Sequence, residues 1–132
     1  MTANEAQSVS AEKLRDFVAQ LFSSAGLPAA AAQTVAGGLV DADLEGLHSH
    51  GVMLAEMYVE RLRKGSVSRN EQAAIVSERG GAVVLDAGHA FGHLTGIQAM
   101  DIAIEKARSF TAGIVTVRHG FHFGAAGKYA VQ

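Results

Sequence analysis

Apolar residues recur at intervals of three and four positions near the start of the chain, which is the spacing of one face of an α-helix. This segment lies between Ser10, whose hydroxyl suits an N-cap, and Gly26, which suits a helix terminus. The recurring apolar positions are Leu14, Phe17, Val18, Leu21 and Phe22. The pattern predicts an amphipathic helix that buries this face.

Two more helices are predicted in the first half of the chain. Pro28, the single proline, stands where a second helix begins, and the Ala-rich run after it carries the Gly37-Gly38 pair. Each glycine weakens a helix by roughly 1 kcal/mol, so we expect a neighbouring element to pack closely at this pair. A third helix is predicted over residues 52–64, where Gly65 ends the amphipathic pattern.

The second half of the chain changes to short β-branched runs. Residues 73–77 and 82–86 are predicted strands joined by a Gly-rich hairpin turn. A loop rich in Gly and His then leads to a helix that begins at residue 95 or 96, and a third strand is predicted over residues 113–117. Helices followed by strands and a further helix indicate a mixed α/β (α+β) fold.

The change of pattern near residues 65–70 predicts two units. Residues 1–68 form a helical unit, and residues 69–132 form the beginning of a mixed α/β unit. The sequence stops just as a helix starts after Gly127, without a C-terminal capping signal. We therefore expect a fragment of a longer protein.

Composition narrows the class of protein. The chain has 132 residues, a net charge of −2, no Cys and no block of Lys or Arg, which argues against nucleic acid or an anionic membrane as the main partner. No apolar run is long enough to span a bilayer, and the first residues lack the features of a signal peptide. We expect a soluble, cytoplasmic protein.

The first candidate for chemistry is His122, which follows the third predicted strand and precedes the small residues Gly124 to Gly127. A histidine titrates near neutral pH, so it suits a general acid for a ketone or a general base for an alcohol. Small residues at a helix start let a backbone approach a phosphate or another ligand closely. The competing interpretation is a histidine that only caps a strand end.

The second candidate is the turn formed by Ser49, His50 and Gly51, at the junction of two predicted helices. A serine beside a histidine can orient a substrate oxygen or share a proton. Alternatively, these residues only end a helix, with His48 or His50 next to its negative pole. Tyr58 lies two turns further on and is predicted either to face the same cleft or to be a half-buried core tyrosine.

A metal site is a third possibility. The pairs His48-x-His50 and His119-x-x-His122, with a carboxylate such as Asp43, offer ligands for zinc or iron. A histidine-ligated metal hydrolase is therefore an alternative to proton transfer. The sequence lacks Cys and the His-Glu-x-x-His pattern that would support it.

Two runs of sequence resemble a known family. Residues 41–52 (Asp-Ala-Asp-Leu-Glu-Gly-Leu-His-Ser-His-Gly-Val) are similar to the N-terminal signature of the type 2 malate/L-lactate dehydrogenases, which include ureidoglycolate and sulfolactate dehydrogenases. Residues 115–130, with the core His-Gly-Phe-His-Phe-Gly-Ala-Ala-Gly-Lys-Tyr, resemble the second signature of this family. The resemblance extends over nearly the whole chain, with both motifs in the expected order.

The resemblance implies an NAD(P)-dependent oxidoreductase that acts on 2-hydroxy or 2-keto acids and is a homodimer. It implies a helical N-terminal region on a non-Rossmann cofactor domain with a largely antiparallel sheet. His50 and His122 would be the proton donor or acceptor, and Ser49 and Tyr58 would bind the substrate. The implied cofactor-binding residues are His122, Phe123, Gly124, Ala125, Ala126 and Gly127.

Three departures from the family pattern matter. Leu54 stands where an Arg commonly holds a substrate carboxylate, and Arg61 or Arg118 is a possible substitute. His119-Gly120 replaces the more common Asn or Ser before the second motif. Family enzymes are also more than twice as long, so an expected lysine and aspartate of the site are missing. A truncated module that only packs or dimerises is therefore the non-enzymatic alternative.

Overall fold

The computed structural model describes residues 8–131, in which helices precede a small mixed sheet. Short 3₁₀ turns occupy His48–His50 and Val52–Leu54. The main elements are α1 (Ala11–Ser24), α2 (Ala29–Leu44), α3 (Ala55–Lys64), β1 (Ala74–Arg79), β2 (Ala82–Asp86), α4 (Gly92–Ser109), β3 (Ile114–Arg118) and α5 (Gly127–Ala130).

The three helices of the first half enclose one hydrophobic core, to which Val67 and Phe91 also contribute. The rings of Phe22, Tyr58 and Phe91 meet there with centroids 5.2–6.2 Å apart, and all three side chains are fully buried. A second, smaller cluster lies under the sheet. Because Phe91 comes from the start of α4 and enters the first core, it ties the sheet half of the chain to the helices.

The sheet has the order β1-β2-β3, with β1 and β2 antiparallel and β2 and β3 parallel. The parallel register pairs Asp86 with Arg118, so both strands end at the same edge. Beyond that edge, Ala87 N donates to Arg118 O (3.0 Å) and Phe121 N donates to Ala90 O (3.0 Å). The loops that follow β2 and β3 therefore run side by side. The predicted α/β class is confirmed, while the unit boundary at residue 68 stays a prediction.

Several predicted details are confirmed by the coordinates. Ser10 caps α1, since Lys13 N donates to its Oγ at 3.5 Å. Gly65 ends α3 in the left-handed conformation, with φ of 75°. The hairpin joins β1 and β2 as expected.

Other details differ from the sequence-based expectation. Helix α4 begins at Gly92, three or four residues earlier than predicted, because the buried Phe91 anchors its first turn and its carbonyl accepts a hydrogen bond from Leu94 N at 3.1 Å. The third predicted helix opens with a separate 3₁₀ turn. Phe17 is 58% exposed, so the buried face of α1 is narrower than its apolar pattern. Among residues 8–131, no helix has both the length and the apolar character required to cross a membrane.

Candidate active site

His122 is placed by the continued pairing of the two loops beyond the sheet. The carbonyl of His122 accepts a hydrogen bond from Gly92 N (3.2 Å), at the first residue of α4. Gly92 has no room for a side chain, because a Cβ there would lie 2.4 Å from Phe123 Cβ. This close approach fixes where the His122 ring emerges.

His50 is placed by the 3₁₀ turn that follows α2. The carboxylate of Asp43 holds this turn: Oδ1 lies 2.9 Å from His48 Nδ1, and Oδ2 accepts Val52 N at 2.8 Å. Gly51 passes directly over this carboxylate, and a Cβ at Gly51 would lie 2.1 Å from Asp43 Oδ1. The carboxylate therefore requires glycine at this position of the Ser-His-Gly turn.

The two histidine turns, 72 positions apart in the numbering, meet in space. The rings of His50 and His122 are stacked with centroids 5.6 Å apart and planes inclined by 30°. A hydroxyl lies on Nδ1 of each ring: Ser49 Oγ is 3.0 Å from His50 Nδ1, and Tyr58 Oη is 2.6 Å from His122 Nδ1. Within residues 8–131, Nε2 of each ring makes no hydrogen bond, so these two nitrogens are available to a ligand.

The surroundings of His122 and Tyr58 set their protonation. Burial lowers the pKa of His122, and the neighbouring His50 lowers it further. Burial raises the pKa of the Tyr58 hydroxyl, with a smaller contribution from Tyr129. Tyr58 therefore remains a neutral phenol, and its hydroxyl can donate to Nδ1 or accept from it. His122 is held in one orientation in either protonation state.

The segment after His122 consists mainly of small residues and makes a tight turn. Phe123 is 48% exposed, and the buried Gly124 turns the chain with φ of 75°. Tyr129 Oη donates to Phe123 O at 2.5 Å, and burial raises the pKa of Tyr129 to about 12. A cavity of about 320 Å³ lies between the first turn of α4 and residues 117–123. The exposed Phe123 ring is one wall of this cavity.

An ion network fastens this segment to the helices. Asp41 of α2 binds Lys128 of α5 (2.7 Å) and Arg15 of α1 (2.9 Å). Burial raises the pKa of Asp41, but the hydrogen bonds and charges of Lys128 and Arg15 outweigh it, so its pKa lies below the usual value. The carboxylate is thus ionised at neutral pH and links three elements.

Replacing Asp41 by Asn is expected to lower the free energy of unfolding at pH 7 by about 1 kcal/mol or less, since the ion pairs are partly exposed. A carboxyl with a lowered folded-state pKa stabilises the fold above its unfolded pKa near 4 and loses that effect as pH falls through the folded value. The difference between Asp41→Asn and wild type should therefore shrink below pH 4. Urea unfolding of Asp41→Asn and wild type at pH 7 and pH 2.5 measures it. An equal difference at both pH values would contradict this role.

The four histidines proposed as metal ligands do not come together as a set, since only His50 and His122 meet. His48 binds Asp43, whereas His119 binds Asp86 (3.0 Å) on the other side of the second loop and lies beside His89. In the described part of the chain, no group of three or more His, Asp or Glu side chains has the arrangement to hold a metal ion. The ligand set for a metal hydrolase is therefore absent from residues 8–131.

The two arginines considered as carboxylate binders have different surroundings. Arg118 donates from Nε to Asp86 Oδ2 at 2.8 Å, so it is occupied. Arg61 lies with its guanidinium carbon 5.7 Å from the centre of the Phe121 ring, next in sequence to His122. Arg61 Nε also donates to Met57 Sδ at 3.2 Å, so within residues 8–131 Arg61, unlike Arg118, is not paired with a carboxylate.

One residue of the site was not predicted from the sequence. His93, in the first turn of α4, is 2% exposed, and its ring lies 6.5 Å from that of His122. Burial lowers the pKa of His93 to about 3, with smaller contributions from His122 and Lys128. The one sequence feature that indicated close packing here was the Gly37-Gly38 pair of α2. The side chain that packs against Gly38 is His93.

Comparison with known proteins supports a common fold. The malate dehydrogenase of Pyrococcus abyssi is 38% identical over 121 residues, which are 92% of this chain and 33% of that protein. The L-sulfolactate dehydrogenase of Methanothermobacter thermautotrophicus is 34% identical over 92% of this chain and 36% of its own length. The structure of malate dehydrogenase from Pyrococcus horikoshii has a TM-score of 0.92 at 31% identity, covering 99% of this chain and 38% of that one.

The fold thus occurs in a class of dehydrogenases. A family model described as malate/L-lactate dehydrogenase matches residues 9–132. The chain belongs to the malate/L-lactate dehydrogenase family. It spans about a third of the length of the curated relatives that it matches.

Proposed function

We propose that this chain forms part of an NAD(P)-dependent oxidoreductase that transfers a hydride between nicotinamide and a 2-hydroxy or 2-keto acid. The observation that carries the proposal is the contact between His50 and His122, each with a hydroxyl on Nδ1 and a free Nε2. Reduction of a keto acid needs a proton at the carbonyl oxygen, and a histidine near neutral pH can supply it. The dehydrogenase names of the relatives support the same reaction class.

His122 is the first choice for moving this proton. In the reductive direction, protonated His122 would donate from Nε2 to the carbonyl oxygen, while Nδ1–H donates to the Tyr58 hydroxyl. In the oxidative direction, neutral His122 would accept the alcohol proton on Nε2. Tyr58 is completely buried and touches His122, so it orients the ring; its direct contact with substrate stays a prediction.

Substrate recognition would involve groups around the pair. Ser49 is exposed and next to His50, so its hydroxyl can reach a substrate oxygen as well as His50 Nδ1. Arg61 is exposed and is not paired with a carboxylate within residues 8–131, so it is the candidate to bind the substrate carboxylate in place of the family's usual arginine at Leu54. Residues 122–127 would line the cofactor, which, when bound, supplies or accepts the hydride. We also propose a homodimer, from the family resemblance, and a cytoplasmic location, from the composition of the chain.

The test is an assay of the purified full-length protein with NADH and with NADPH against a panel of 2-keto acids. The panel should include oxaloacetate, pyruvate and sulfopyruvate, with the corresponding 2-hydroxy acids for the reverse reaction. Fluorescence titration measures cofactor binding separately. Turnover of at least one keto acid supports the proposal. No turnover and no binding of either cofactor at millimolar concentration would instead favour a module that only packs or dimerises.

The pKa of His122 provides a prediction that can be tested without an activity assay. Because burial and the neighbouring His50 both lower its pKa, His122 is expected to titrate below the usual value near 6.5. In His50→Ala the positive charge that opposes protonation is removed, so the His122 midpoint should rise. NMR of the imidazole protons as a function of pH measures both values. An unchanged midpoint in His50→Ala would contradict the observed contact.

A further inference from the structure

His93 is a buried polar residue for which the proposed proton transfer has no use. Its side chain leaves the first turn of α4 and is 2% exposed. Neither Nδ1 nor Nε2 has a hydrogen-bond partner within residues 8–131. An unpaired buried polar group costs roughly 1–3 kcal/mol, so a histidine here needs an explanation other than its own bonding.

One edge of the ring lies against two glycines from distant parts of the chain. A Cβ at Gly38 of α2 would lie 2.6 Å from His93 Cδ2, and a Cβ at Gly124 would lie 2.6 Å from His93 Nε2. Real atoms do not approach so closely, so both positions must lack a side chain while the ring is there. Since Cδ2 and Nε2 are neighbouring ring atoms, one edge of the His93 ring contacts both α2 and the turn at Gly124.

The same ring lies against the proton-transfer residues. Its centroid is 6.0 Å from that of Tyr58 and 6.5 Å from that of His122, in edge-to-face arrangements. Lys128 is the neighbouring cation and is held by Asp41. His93 thus contacts both the hydrogen-bonded pair Tyr58–His122 and the Gly124 turn.

We propose that His93 is a positioning residue: its flat ring fixes the Gly124 turn against α2 and so keeps His122 on the Tyr58 hydroxyl. The inference rests on the proposed function for its effect on turnover, but not for its effect on geometry. This positioning role requires only the shape and the neutrality of the His93 ring, because its nitrogens bind nothing in the described chain. A displaced ring would move Gly124, two residues from His122.

The two adjacent glycines of α2 provide a matched test in the full-length protein. Gly37→Ala introduces a Cβ no closer than 3.7 Å to any neighbour, whereas Gly38→Ala pushes directly on the His93 ring. Both changes favour the helix by roughly 1 kcal/mol. We expect Gly37→Ala to leave kcat and the His122 titration unchanged. Gly38→Ala should lower kcat at least tenfold with KM within threefold, and should shift the His122 midpoint measured by NMR.

Substitutions at His93 complete the test. His93→Ala should reproduce the effect of Gly38→Ala, and His93→Gln should restore most of the activity because its flat, uncharged amide reaches the position of Nε2. The proposal is overturned if Gly38→Ala behaves like Gly37→Ala, a comparison that stands even if His93→Ala does not fold. It is also overturned if His93→Ala folds and leaves the His122 midpoint unmoved. Should the protein reduce no keto acid, the proposed function fails while the NMR comparison still decides the role of His93.

Discussion

Replacing His122 by alanine in the full-length protein is expected to lower kcat for keto-acid reduction by roughly 10²–10⁴-fold, the usual contribution of a positioned general acid. The expected effect is on kcat, because His122 interacts with the substrate oxygen most strongly while the proton moves. The fold should persist, since the side chain is partly exposed and its one hydrogen bond within residues 8–131 is to Tyr58. Steady-state kinetics with saturating cofactor, together with circular dichroism, measures both expectations.

His119 offers a matched control three residues away. It is 56% exposed, binds Asp86 and lies outside the histidine pair. Because His119 has φ of 52°, the control should be His119→Asn, a residue that tolerates the left-handed conformation. His119→Asn is expected to keep kcat within threefold. If His122→Ala loses less than threefold as well, proton transfer by His122 is excluded.

The two turns of the site were readable from the sequence because their residue types are locally constrained. Gly51 must be glycine where the chain crosses Asp43, and Gly124 must be glycine where the chain turns with positive φ beside a ring. Because glycine is required at these two positions, each turn has a recognisable local sequence. No local signal specifies the meeting of His50 with His122, since it depends on how the sheet half of the chain packs against the helices.

What the sequence could not show were the partners of each side chain. No local sequence feature indicates that Arg118 binds Asp86, 32 positions earlier, because that pair follows from the strand register. Nothing local tells that Tyr58 donates to or accepts from His122 rather than pointing into an open cleft. His93 was missed for the same reason: a histidine in a Gly-rich loop usually faces solvent, and its burial depends on α2 carrying a glycine opposite.

The phenylalanines of α1 show this limit most clearly and lead to the second large expected effect. Phe17 and Phe22 both fit the apolar periodicity, yet Phe22 is fully buried and Phe17 is 58% exposed. Phe22→Ala is expected to lower the free energy of unfolding by about 3–5 kcal/mol, because a large buried ring is lost and a cavity is left. Phe17→Ala, the same change five residues earlier, should alter it by about 0.5 kcal/mol or less. Urea unfolding of both variants gives the comparison.

The effect of Phe22→Ala should also reach the site, because of the contacts of its ring. Phe22 lies 6.2 Å from Tyr58 and 6.1 Å from Phe91, and Phe91 in turn anchors the start of α4, which carries His93. A cavity at Phe22 removes the support behind the Tyr58 ring, so the hydroxyl should hold His122 less firmly. The His122 titration should therefore shift in Phe22→Ala and not in Phe17→Ala, at a urea concentration where both remain folded. Equal unfolding energies for the two variants would show that the packing of α1 against Tyr58 and Phe91 is not the source of stability.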